Sequence, residues 1–175
     1  MDFKDTCKMR RSVRAFKEEQ ITKEALQAVL DAAYLAPTGM GKYENLTLIV
    51  VQDADALAAL KKEFAKTAPP GHGGDPTYGA PTLIYVCENA SDNDVITFAN
   101  AGVMMESMLL AAADNGLGGC YLLGCVMANA TNHEIDRIIG LPEGFRPVSA
   151  IALGLPAEAA DPREADRNKI NTLFV

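Results

Sequence analysis

Arg10-Arg11-Ser12-Val13-Arg14-Ala15-Phe16 is the stretch on which the reading of this chain turns. Three guanidinium groups fall within five residues of a protein whose formal net charge is −7. The segment before them, Asp2 to Arg10, can form a short helix, and the arginines lead into extended chain. Alternate side chains of an extended segment share one face. Ser12 and Arg14 then point the same way, and Arg10 joins them if the extended form begins there. Forked cations and a hydroxyl on one face suit a phosphate, whose oxygens accept from both. A solvated basic turn has the same composition, so the residues alone leave both readings open.

The rest of the composition narrows the classes. The chain has 175 residues and 49% hydrophobic content, which fits a single domain over 1–175 with a sizeable core. Its acidity repels nucleic acid and anionic membrane at long range, so neither is expected as a partner. Any anionic ligand needs a local cluster of positive charge. Cys7, Cys87, Cys120 and Cys125 form no C-x-x-C, and only two histidines are present, so no metal site is expected. The cysteines read as buried thiols of a reducing compartment. The start, Met1 to Arg14, lacks the apolar centre of a signal peptide, and no run of about 18 apolar residues is evident. The expectation is a cytoplasmic protein.

Beyond the arginines, Thr22 can cap a helix in which Ala25, Leu26, Val29, Leu30 and Ala33 recur at helical spacing. Pro37 and Gly39 end it. Leu46 to Val51 reads as a buried strand, and Asp55 as the cap of a helix reaching about Lys66. Thr67 to Gly79, rich in proline and glycine, is a loop that holds His72. Thr82 to Cys87 is a strand. Asp94 to Asn115 is a long helix, apolar nearly all round, which places it at the centre of a domain or between subunits. Cys120 to Leu123 and Val148 to Leu153 are further strands. Between them Thr131 and Glu134 have capping-box spacing for a helix that carries His133 and ends near Gly140. The mixture is α+β, around a mixed or antiparallel sheet of about four or five short strands flanked by helices. Arg167 and Lys169 lie in a polar tail that ends in Leu173-Phe174-Val175, which wants burial.

Gly116-Leu117-Gly118-Gly119 follows a helix and precedes a strand. That is the reverse of the order in a dinucleotide-binding βαβ unit, so the glycines are no such fingerprint. They read either as a helix stop before a closely packed strand or as backbone that approaches a flat ligand.

Four features together resemble the nitroreductase family. They are R-R-S-V-R-A-F at 10–16, A-P-T-G at 36–39 about 20 residues later, G-A-P-T-L-I at 79–84, and G-L-G-G-C-Y-L-L-G at 116–124. The resemblance implies an α+β sandwich fold and a homodimer with FMN at its interface. It also implies hydride transfer from NADH or NADPH to a nitro, quinone or other small electrophilic acceptor. By resemblance, Arg10, Arg11, Ser12 and Arg14 hold the FMN phosphate and ribityl chain. Pro37, Thr38 and Gly39 approach the flavin from the partner subunit. Leu122, Leu123 and Gly124 lie at the ring, with a backbone N–H facing N5. Arg167 and Lys169 are candidates to complete the phosphate site. Gly41 to Asn45 departs from the family's usual Asn and Gln-Pro-Trp, which points to an unusual substrate pocket. No side chain stands out as a catalytic acid or base, as befits an enzyme whose cofactor carries the chemistry. Two rivals are a flavin binder or redox sensor without turnover, and a flavin-free dimer whose arginines make intersubunit salt bridges.

Overall fold

A computed structural model describes residues 2–67, 75–89 and 94–175. His72 and most of the Pro/Gly loop fall outside them. Local signals place the first elements. Asp2 caps α1 (Phe3–Met9), its Oδ1 accepting from the Asp5 amide at 3.0 Å. Thr22 caps α2 (Lys23–Tyr34), its hydroxyl accepting from the Ala25 amide at 3.2 Å. β1 (Leu46–Val51) follows at the expected bounds, but it is half-buried along most of its length because it forms one edge of the sheet.

Two expected caps are displaced. Asp53, not Asp55, accepts from the Ala56 amide at 2.8 Å and starts α3 (Ala54–Thr67). Asp55 lies in the first turn, where a carboxylate favours the positive end of the helix dipole. Asn132, not Thr131, accepts from the Glu134 amide at 3.1 Å and starts α6 (His133–Ile139). Thr131 is occupied elsewhere, its hydroxyl donating to the Ala128 carbonyl at 3.2 Å. It closes α5 (Gly124–Asn129), a helix the sequence did not announce because six residues are too few to show a period.

β2 (Thr82–Asn89), β3 (Gly118–Leu122) and β4 (Phe145–Gly154) complete a four-stranded antiparallel sheet in the order β1-β2-β4-β3. β3 begins two residues and ends one residue earlier than expected, so Leu123 lies beyond it as the cap of α5. β4 starts three residues before Val148 and takes in Pro147, which has no amide to donate. The β2–β4 register slips between Val86 and Cys87, beside that proline, where a bulge costs least.

Helices cover both faces. Ile84, Val86, Ile151 and Leu153 pack under α2 and α4 (Asp94–Asp114), while Leu83, Tyr85, Cys87, Ala150 and Ala152 pack against α3, α5 and α6. α4 carries the core: Met104, Met105, Met108, Leu109 and Ala112 are buried. An 18-residue window of this helix has mean hydropathy 1.5, so by length and composition α4 could cross a membrane, contrary to the sequence count. Its apolarity is instead used in packing onto the sheet and α2. Of the four thiols, Cys7 is exposed rather than buried.

Candidate functional site

The arginine segment is extended, as its spacing predicts, and the glycines show why it can lie where it does. Ser12 bridges to Gly119 beside β3, and the Val13 amide donates to the Gly119 carbonyl at 3.0 Å. A Cβ on Gly118 would meet the Val13 side chain at 2.9 Å, so only glycine lets the two segments approach. Further on, the Ala157 amide donates to Ala15 and the Lys17 amide to Leu155, at 3.0 and 2.9 Å. The chain is thereby pinned across the ends of β3 and β4.

The three arginines have different fates. Arg10 pairs with Glu106 of α4, Nε to Oε1 3.3 Å. Arg11 donates to the Asp161 carbonyl, and its Nε is buried without a partner. Arg11 thus faces away from Ser12 and fastens the tail. Its side chain is therefore engaged within its own chain. Arg14 makes no hydrogen bond or salt bridge among the described residues. Its guanidinium lies 5.8 Å from the centroid of the Tyr78 ring. Ser12 and Arg14 are both exposed. A cavity of about 650 Å³ is lined by Arg10, Arg11, Arg14, Gly116, Gly119 and Pro156 among others, but by neither Ser12 nor Gly124.

At the other end of β3, Leu122 is buried in the core while Leu123 is half exposed. Gly124 opens α5. A Cβ there would come 3.5 Å from Pro76, an ordinary contact. Ser12 sits beside Gly119, and a strand advances about 3.3 Å per residue. Leu122 therefore lies roughly 10 Å along the same sheet edge from Ser12, with Leu123 and Gly124 just past the end of the strand. The Asp75–Gly79 turn reaches both ends of that edge, Arg14 through Tyr78 and Gly124 through Pro76.

Pro37, Thr38 and Gly39 lie against the N-terminal half of α4. The Gly39 amide donates to Asn100 Oδ1 at 2.8 Å, and a Cβ on Gly39 would meet Ile96 at 2.8 Å. The Thr38 hydroxyl is buried without a partner. No contact joins this loop to Ser12 or Arg14 in the chain's described residues. The departing stretch, Gly41 to Asn45, is held locally: Tyr43 donates from its hydroxyl to the Ala36 carbonyl at 3.2 Å. Met40 stands in the left-handed region at φ 59° and is exposed.

The tail returns beside α1. The Arg163 amide donates to Lys8 at 3.0 Å, and Lys8 Nζ lies 2.8 Å from Glu164. Arg167 and Lys169 follow in an exposed turn held by Asp166 and do not reach the arginine segment of their own chain. Leu173, Phe174 and Val175 are exposed rather than buried.

Among the described residues, the buried thiols are not poised as nucleophiles. Burial pushes the Cys87 and Cys125 thiols up to about 12. Burial also raises Cys120, against the opposing charge of Arg14. All three are protonated at neutral pH. His133 pairs with Asp136 at 2.9 Å on α6, outside this edge. Sequence reasoning missed Glu106, Asn100 and Tyr78. The first two are polar residues in an apolar helix, which was a signal. Tyr78 gave none.

The residues present fit a phosphorylated, partly planar ligand. An exposed guanidinium without a hydrogen bond or salt bridge among the described residues lies two residues from an exposed serine, and the backbone of Leu122 to Gly124 lies further along the edge. Comparison with known proteins agrees. The family model described as Nitroreductase family matches residues 7–155. The structure of a nitroreductase with bound FMN from Desulfitobacterium hafniense superposes with a TM-score of 0.85 at 25% identity, covering 99% of this chain and 100% of that one. A protein of Archaeoglobus fulgidus, provisionally named NADH dehydrogenase/NAD(P)H nitroreductase, is 28% identical over 160 residues, 90% of this chain and 87% of that one. The FMN reductase [NAD(P)H] of Bacillus subtilis is 26% identical over 169 residues, 85% of this chain and 63% of that one. With the arginine segment, the glycine approach and the four-stranded sandwich in place, this chain belongs to the nitroreductase family.

Proposed function

We propose that this chain works as a homodimer that oxidises NADH or NADPH and reduces a small electrophilic acceptor, a quinone or nitro compound, in alternating half-reactions. It is an FMN-dependent NAD(P)H oxidoreductase. When bound, FMN would supply the hydride chemistry between donor and acceptor. The observation that carries the reading is the exposed Arg14 guanidinium of an acidic protein, which has no hydrogen bond or salt bridge among the described residues and lies two residues from the exposed Ser12.

The chain's own residues orient and bind. Arg14 and Ser12 hold the phosphate through charge-assisted bonds. Arg10 adds positive charge while Glu106 fixes its position. Leu122 to Gly124 present backbone toward the ring, and an amide there stabilises negative charge without a side chain. No protonated side chain is needed for hydride transfer itself, and solvent supplies the proton to the acceptor.

A second protomer completes the site. Val95, Phe98, Ala99, Gly102 and Val103 form an exposed apolar stripe at i, i+3, i+4 spacing along α4. A stripe of this kind on a core helix marks an interface. Gly102 leaves room for close approach, since a Cβ there would touch nothing within 4 Å. The exposed Leu173-Phe174-Val175 arm finds its burial on the partner, and Arg167 and Lys169 travel with it. The loop of Pro37, Thr38 and Gly39 closes over the cofactor held by the other protomer.

The test is direct. The purified protein is expected to be yellow and to release FMN on denaturation. It should oxidise NADH or NADPH with a quinone or nitrofuran, giving parallel double-reciprocal lines, the mark of a ping-pong sequence. Bound FMN without turnover on either donor would make it a flavin binder. A colourless protein that refuses added FMN would overturn the reading.

A further inference from the structure

Tyr78 is an exception in its own backbone. It is one of two non-glycine residues with positive φ among the described residues, at 57°, and Gly79 follows at 69°. A side chain in the left-handed region is unfavourable, and a bulky one more so. Such conformations persist where surrounding structure enforces them, and they gather at ligand clamps. The turn does not need the tyrosine ring to form. Asp75 Oδ1 accepts from the Thr77 amide at 2.9 Å, the Ala80 amide donates to the Thr77 carbonyl at 3.1 Å, and Lys61 lies 3.6 Å from Asp75. Thr77 is buried. Asp75 and Thr77 fix the turn, and Tyr78 is displayed on it.

What the display accomplishes is visible in its contact. The ring sits 5.8 Å from the Arg14 guanidinium, within the range of cation–π attraction. A ring face accepts charge without an oxygen acceptor, so the contact does not take up the guanidinium N–H donors as a carboxylate would. Arg10 and Arg11 have protein oxygens to hold them; Arg14 has an aromatic face. An anchoring carboxylate would neutralise Arg14 and compete with a phosphate for its donors. A ring does neither.

We infer that Tyr78 is a positioning residue, whose ring holds Arg14 with its donors free and so confers preference for a phosphorylated flavin over the unphosphorylated one. The inference rests on the FMN reading above and deepens it by naming what selects the phosphate. The Asp75–Gly79 turn also meets Gly124 through Pro76, so the same short segment spans the phosphate end and the ring end of the sheet edge. Its distance from Arg14 in sequence kept this role out of view.

The experiment measures dissociation constants for FMN and riboflavin by flavin fluorescence on apoprotein, for the wild type, Tyr78→Gly and Tyr78→Phe. Glycine relaxes the left-handed backbone, so Tyr78→Gly should unfold no more easily than the wild type. It should still weaken FMN by roughly three- to thirtyfold, the span of ring–guanidinium attraction from exposed to desolvated sites. Riboflavin affinity should hardly move. Tyr78→Phe keeps the ring and should keep the wild-type preference. An unchanged FMN-to-riboflavin ratio in Tyr78→Gly would overturn the inference and leave the FMN reading standing. Equal weakening of both flavins would overturn it too, by making the role structural. Wild-type apoprotein that binds neither flavin would overturn both.

Discussion

The basic residues near the start and those in the tail carry the same charge but live under different constraints. Arg10 to Arg14 lie on backbone stitched to β3 and β4, with Val13 seated where Gly118 has no side chain. Arg167 and Lys169 lie beyond the last tie of the tail to α1 and face solvent. Under the proposed function, one chain builds half of an anion site and offers the rest outward. Charge alone does not make a site. A cation becomes part of one when its backbone is fixed and its donors are left unspent.

The comparison is tested most severely at the α4 stripe. Val103→Glu puts a carboxylate on the exposed apolar face without touching the core. Sedimentation should show monomers, against the dimer expected of the wild type, with FMN and turnover lost together. Retained FMN in a monomer would show that one chain suffices. Arg14→Ala should come next, raising the FMN dissociation constant by about ten- to a hundredfold, the worth of a hydrogen bond to a charged group. Arg11→Ala should raise it far less, because Arg11 is spent on the Asp161 carbonyl.

Gly118→Val drives methyls into Val13 and should cost about 1–3 kcal/mol in urea unfolding, as overpacking does. It should also weaken FMN by shifting the segment that carries Arg14. Arg167→Ala is the smallest and most discriminating change. A few-fold weakening in the dimer, absent in the Val103→Glu background, would show that the tail acts across the interface.

Alkaline unfolding checks the core beside this edge. Cys87 and Cys125 have folded pKa values raised to about 12 from 9.0. A raised value means the folded state keeps its proton while the unfolded thiol loses it. Stability is full below about pH 9 and should fall progressively toward pH 12. Urea midpoints across that range should fall less steeply in Cys87→Val with Cys125→Ala.

Much of the fold could be read in advance. The bounds of β1 came from an apolar β-branched run, and Thr22 announced α2 through its own hydroxyl. α4 was visible as an apolar stretch of the right length. Misplaced features share a cause. Thr131 looked free to cap because α5, the short helix it closes, left no period to read. Asp55 looked like a cap because two aspartates flank the start of α3 and both satisfy the pattern. Pro147 gave no hint that β4 would run through it, since the bulge that admits it is a property of two strands.

Local chain chemistry dictated the elements, the scarcity of positive charge and the extended run that turns Ser12 and Arg14 to one side. Those follow from backbone periodicity and hydrogen bonds spanning a few residues. Which guanidinium stayed available was chosen by packing. Glu106, Asp161 and Tyr78 come from far along the chain, and each fixes one arginine in a different way. Coulomb attraction and ring contacts act over ångströms, so they take effect once folding has brought those partners together.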